Sequence, residues 1–191
     1  MSPVTRSRSP GKLVAAGLLG VATIAVAGFV IAGPKRVWEW VGGPADQGPV
    51  DFATLERRSA PNDALACTRG TCGQRVDFEL PTYALAAADL MRGLDRVVAM
   101  SGSERVDDHS DESYRRYVLR TAVLAFPDTL DAKSTVVANG ETALQLYSRS
   151  LLGRGDFGAN LRRLQRIASD LGQRPAVSEQ IVEITKRPRS G

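Results

Sequence analysis

Asp156, Asn160 and Arg163 recur at intervals of four and three residues within YSRSLLGRGDFGANLRR, residues 147–163. On a helix covering about residues 157–171, that spacing puts the three along one flank. Arg149 and Ser150 precede them across a glycine-containing turn, and Asp128 follows a long strand-like run upstream. Carboxylates, an amide and guanidinium groups at the end of a sheet can hold an anionic or polar ligand. Arginine forks grip carboxylate or phosphate through parallel N–H groups. The same groups also have a structural use. Asp156 can cap the helix, accepting from free N–H groups at the positive end of its dipole. Asn160 can bond a strand-end backbone, and Arg163 can pair with Asp156 or Asp128. If Leu144 and Leu146 face the core, alternation turns Arg149 to the other face.

The single histidine, His109, stands in RVDDHSDES among Asp107, Asp108, Asp111 and Glu112. Oxygen ligands at this density suit Ca²⁺ or Mg²⁺. The spacing is not that of an EF-hand loop, and the glycine such a loop needs is missing. We read the stretch as a solvated hairpin tip, with no metal and no cofactor. Nucleophilic catalysis has no recognisable motif. There is no G-x-S-x-G, and the histidine sits beside acids rather than beside a serine or cysteine motif. No phosphate-binding loop or dinucleotide fingerprint occurs. A carboxylate-based hydrolase without a short motif stays open.

Charge narrows the partners. The formal net charge is +4, but residues 1–36 hold five Lys/Arg and no acid. The remainder carries 20 Lys/Arg against 21 Asp/Glu, so the basicity belongs to the amino-terminal segment. Nucleic-acid binding needs a basic patch to neutralise phosphates, and the remainder has no such excess. Nucleic acid is therefore not an expected partner.

The elements that must position these residues follow from periodicity. Residues 83–96, capped by Thr82, carry an apolar stripe at Tyr83, Ala87, Leu90, Met91, Leu94 and Val98. Strand-like runs follow at about 97–106, 114–126, 133–138 and 142–151. Asn139-Gly140 is a two-residue hairpin signal. Phe157, Leu161, Leu164, Ala168 and Leu171 define the second helix. Helix, several strands, helix predicts a two-layer α+β domain with an antiparallel sheet and two main helices. Its bounds are about 57–175, with a carboxy-terminal tail at 176–191.

Within this frame the chain resembles the family called domain of unknown function 1499. The resemblance rests on Ser150, Gly153, Asp156, Gly158, Asn160 and Arg163. Two upstream landmarks join them: Pro61-Asn62-Asp63 near the domain start, and Phe126-Pro127-Asp128 after the long strand. It covers about residues 55–172. Leu151 stands where family members often have arginine, and Arg149 is the candidate to replace it. The resemblance implies an envelope or membrane-associated domain, and no established activity.

Residues 13–32 are an apolar run without a charge. A bilayer core about 30 Å thick needs about 20 such residues as a helix. We expect a transmembrane helix over 13–33. The alternative is a cleaved signal peptide with Ala25-Val26-Ala27 as the cleavage sequence, but the run is longer than an h-region of about 7–15 residues. Arg6, Arg8 and Lys12 on the basic tail (1–12) outweigh Lys35 and Arg36 beyond the run. That bias predicts a cytoplasmic amino terminus and a periplasmic domain at the inner (plasma) membrane. Trp38 and Trp40, with Lys35 and Arg36, suit the water–lipid boundary. Glycine–proline pairs make residues 34–56 an expected tether. Cys67 and Cys72 are the two cysteines. A local disulfide in an oxidising compartment is expected, against two free thiols in a cytoplasmic loop. The expected role is an interaction or accessory module of an inner-membrane complex or the envelope. The alternative is a binding domain for a small lipid-like or anionic ligand.

Overall fold

The computed structural model describes residues 10–121 and 124–172. The chain divides between Gly43 and Pro44 into two units. In the first, α1 runs Pro10–Ala32 and α2 runs Pro34–Gly42. Gly33 interrupts them with φ +81°. The residue before a proline is biased away from helical angles, and Pro34 suits the first helical position because an N–H there has no partner anyway. The segments Gly17–Ala32 and Pro34–Gly42 meet at 101°. Across the elbow the rings of Phe29 and Trp38 meet edge to face, centroids 5.6 Å apart. Among the described residues no single helix is long and apolar enough to cross a membrane, whereas this bent pair passes together by length and composition.

In the second unit six strands form one sheet in the order β2-β1-β6-β5-β4-β3. They are β1 (Asp63–Thr68), β2 (Phe78–Leu80), β3 (Glu104–Arg105), β4 (Tyr114–Arg120), β5 (Pro127–Val136) and β6 (Thr142–Ser150). β1 and β2 pair in parallel, and the other neighbours are antiparallel. Helices α3 (Ala87–Ala99) and α4 (Ala159–Gly172) cover one face. The main core lies there, with Leu90, Met91, Leu94 and Leu164 packed on Ala66, Leu130, Leu144 and Leu146. This is the expected mixed α+β architecture.

Several boundaries differ from the sequence reading. β1 and β2 precede α3 and were not expected. The helix expected at 83–96 starts later, because Tyr83 is held in a bridge to Thr142. Its N-cap is Ala86, without a side-chain cap, so Thr82 does not cap it. Val97 and Val98 are buried in the last turn of α3, and only Glu104–Arg105 of the strand expected at 97–106 forms. The strand expected at 114–126 stops at Arg120. There Thr121 Oγ1 accepts from Phe126 N–H at 3.0 Å and Ala125 takes φ +51°. The turn at Asn139-Gly140 closes with hydrogen bonds from Gly140 N–H to Val137 O and from Val137 N–H to Glu141 O, both 2.9 Å. Gly140 alone takes the left-handed conformation there, which makes a three-residue loop rather than the two-residue turn.

Residues 34–56, expected as an irregular tether, are not irregular throughout. Residues 34–42 are helical, and Ala45, Phe52 and Leu55 are buried. Phe52 and Leu55 pack with Leu65, Cys67 and Tyr147 on the sheet face opposite the helices. Their burial removes apolar area from water at about 25 cal/mol per Å², which sequence spacing over so irregular a segment does not reveal. The tail beyond Gly172 lies outside the described residues.

Candidate functional site

The site is built where β6 ends and α4 begins. Asp156 accepts from Gly158 N–H through Oδ1 and from Asn160 N–H through Oδ2, both at 2.8 Å. This caps α4, as its position before the apolar stripe predicts. Phe157 and Gly158 take positive φ between the cap and the helix. Asn160 then points at the sheet and is fully buried. Its Oδ1 accepts from Ser148 Oγ and from Arg163 Nη1, each at 2.5 Å. Its Nδ2 donates to Ser150 Oγ at 3.0 Å and to Asn62 O at 3.1 Å. Both donors and both acceptor sites of the amide are therefore used inside the protein.

Arg163 carries the network onward. Its Nη2 donates to Asp128 Oδ2 at 2.5 Å and its Nη1 to Ser148 Oγ at 3.0 Å. Asp128 is buried, so the guanidinium neutralises a charge that burial alone would make expensive. Asn62 closes the loop that precedes α4, with Nδ2 donating to Gly153 O at 2.7 Å. Its own Oδ1 is buried without a hydrogen-bond partner. The three separated stretches carrying the resemblance thus meet in one network: Asn62, Asp128, and Ser150 with Asp156, Asn160 and Arg163.

Ser148 and Asn62 were missed as members. Pro61-Asn62-Asp63 was visible as a landmark near the domain start, but its meeting with Asn160 is a tertiary contact. Arg149 belongs elsewhere. It pairs across the sheet with Asp63 and Thr129, and strand alternation sends it to the face without helices. There Arg149 Nη2 donates to Gly48 O at 2.5 Å and lies 3.3 Å from Asp131 Oδ2. The approach to Asp131 is close enough for an ion pair but not aligned as a hydrogen bond, since that oxygen has no hydrogen-bond partner. Arg149 therefore cannot stand in at the Asn160 site for an arginine at Leu151.

This second face holds its own polar cluster. Asp131 is fully buried, and Tyr114 OH donates to its Oδ1. Burial pushes the Asp131 carboxyl up to about 6, outweighing the opposing pull of Arg149. Asp63 behaves oppositely. Burial raises it, but the Arg57 fork at 2.8–3.0 Å, Arg58 N–H at 3.1 Å and Tyr147 OH at 2.8 Å hold it below its ordinary value.

The acidic loop between β3 and β4 uses its carboxylates locally. Asp107 is buried yet held well below the usual carboxylate range, because the Arg105 fork and the N–H groups of Arg116 and His109 outweigh burial. Asp108 accepts from Ser110, and Asp111 from Ser113. Among the described residues no group of three or more His, Cys, Asp or Glu is placed to hold a metal ion. An open hollow of about 250 Å³ beside this loop is lined by Arg92, Arg105, His109, Glu112 and Arg115. Cys67 and Cys72 form a disulfide, Cα atoms 6.2 Å apart.

Fold and site define a two-layer α+β domain in which the loop before the first strand, the central hairpin and the last helix are joined by a buried Asn–Arg–Asp network. Residues 54–171, more than half of the chain, match the family described as protein of unknown function DUF1499, and the chain belongs to that family. No curated protein matches it.

Proposed function

We propose that this chain is a membrane-anchored accessory module, which docks on a partner in an inner-membrane complex or the envelope rather than catalysing a reaction. The observation that carries the reading is Phe157. The residue is 97% exposed at a backbone φ of +52°. A left-handed conformation costs a residue other than glycine about 1–2 kcal/mol, and the exposed ring adds apolar area in water. The buried network holds the loop in this state. Its Asn160 amide is saturated internally, so that group supports a positioning role better than substrate binding. Arg162, whose Nη1 donates to Phe157 O at 2.8 Å, is exposed, as is Arg154 three residues before the ring. The matching partner surface is an apolar pocket rimmed by carboxylates.

The anchor reading rests on α1, whose described apolar side chains are mostly exposed, Ile31 at 85%. A helix apolar on all sides needs lipid or protein around it. The disulfide suits an oxidising compartment and so a periplasmic domain, with the basic tail on the cytoplasmic side.

The test is purification of the tagged full-length protein from native membranes in mild detergent. A stoichiometric partner, lost on Phe157→Ala while the melting temperature holds, supports docking. A protein that runs alone on a native gel overturns it. A second reading, binding of a small anion, is favoured by the hollow where Arg92, Arg105 and Arg115 converge. Native mass spectrometry of the purified protein checks it through a retained anionic adduct that Arg115→Gln removes.

A further inference from the structure

We propose that α2 is an interfacial helix lying along the bilayer surface, with Val37 and Val41 turned to the acyl chains and Lys35 and Arg36 turned to anionic headgroups. The inference rests on reading α1 as the membrane span. At about 100° per residue, Val37 and Val41 fall at the middle of one face of α2, with Trp38 and Trp40 on its flanks. Lys35, Arg36 and Glu39 occupy the opposite face. Such a helix, aromatic and aliphatic on one side and charged on the other, partitions into the plane of the interface. Tryptophan favours the same depth because its ring is apolar and its N–H is polar.

Two features of the elbow orient it. The 101° bend after Ala32 sets α2 along the membrane plane when α1 stands near the normal. The Phe29–Trp38 contact turns the apolar side of α2 back toward α1, and so toward the lipid that α1 crosses. Trp40 and Val41 are 76% and 66% exposed, which leaves that side open to acyl chains. Pro34 and the left-handed Gly33 make the turn a property of the backbone.

Trp38 and Trp40 are the protein's two tryptophans, so intrinsic fluorescence reports α2 alone. The experiment uses the full-length protein in vesicles of phosphatidylcholine and phosphatidylglycerol. The lipids carry bromine either near the glycerol end or near the methyl end of the acyl chains. Shallow bromines should quench at least about twofold more than deep ones, as expected for rings at the interface. In the same vesicles the protein should resist extraction by alkaline carbonate. Resistant protein with no quenching by either lipid leaves the span standing and overturns the interfacial helix. Stronger quenching by deep bromines also overturns it, since α2 would then continue the crossing. Release by carbonate overturns the span itself, and with it this proposal.

Discussion

Arg163 on α4 and Asp128 at the start of β5 meet at 2.5 Å across 35 positions of sequence. The bond ties the last helix to the centre of the sheet, and Asn160 and Ser148 share the same guanidinium. Arg163→Met leaves the buried Asp128 carboxylate without its cation, which costs about 3–5 kcal/mol. Adding Asp128→Asn should recover part of the loss, with a coupling energy of about 0.5–3 kcal/mol for groups in contact. Urea denaturation of the full-length protein in detergent, run on both single variants and the double, measures the cycle. Strict additivity would show that the pair is not coupled.

Phe52 lies outside the family-matched segment yet is buried against Leu65 and Tyr147. Phe52→Ala should therefore destabilise the domain by about 3–5 kcal/mol, the usual cost of deleting a buried aromatic. Leu18→Ala on the exposed face of α1 should leave the unfolding of the domain unchanged. A Phe52 variant melting like the parent would return residues 44–56 to the status of a tether.

Asp131 gives the domain a pH dependence of unusual sign. Its carboxyl rises from an ordinary 3.8 to about 6 on folding, chiefly through burial. Between those values the folded state holds the proton more often than the unfolded state, so stability falls as pH rises. The contribution is complete below about pH 3.8 and lost as pH passes about 6, amounting to at most about 3 kcal/mol. Asp63, held below its ordinary value, acts oppositely and loses its contribution only as the pH falls below about 4. Asp131→Asn should flatten the decline between pH 4 and about 7 and raise the melting temperature at neutral pH. Parallel melting curves for parent and variant across that range would contradict the burial argument.

The disulfide closes a short loop, since Cys67 and Cys72 are five residues apart. Reduction should cost about 2 kcal/mol on the loop-entropy scale without unfolding the domain. β1 remains paired with β6, and Gln145 Nε2 holds Thr71 O at 2.6 Å. Thermal melting with and without reductant, followed by circular dichroism, tests both parts. Complete loss of the sheet on reduction would give the disulfide a larger role than its loop length implies.

Periodic elements were legible in the sequence because their signals are local. Of the expected stripe Phe157, Leu161, Leu164, Ala168 and Leu171, the last four mark α4, while Phe157 falls before the helix and is exposed. Asp156 caps the helix with bonds that span no more than four residues. Alternation along β6 separates Arg149 from Ser148 and Ser150 without knowledge of any neighbour, because successive side chains of a strand point to opposite faces. The two close cysteines likewise made a local bridge the natural expectation.

Tertiary structure decided the rest. β1 is a strand because β6 and β2 lie on either side of it, and its six residues carry no period long enough to read. Phe52 is buried only because Leu65 and Tyr147 present an apolar surface to it. Thr82 lost its capping role when Tyr83 was drawn into a bridge with Thr142. The Asn160 network joins residues from Asn62 to Arg163, and no spacing rule connects them. Backbone and helix preferences act over a few residues and are written in order along the chain. Burial and polar pairing act across space, so Ser148 and Asn62 became partners of Asn160 only when β6, the loop before β1 and α4 were brought together.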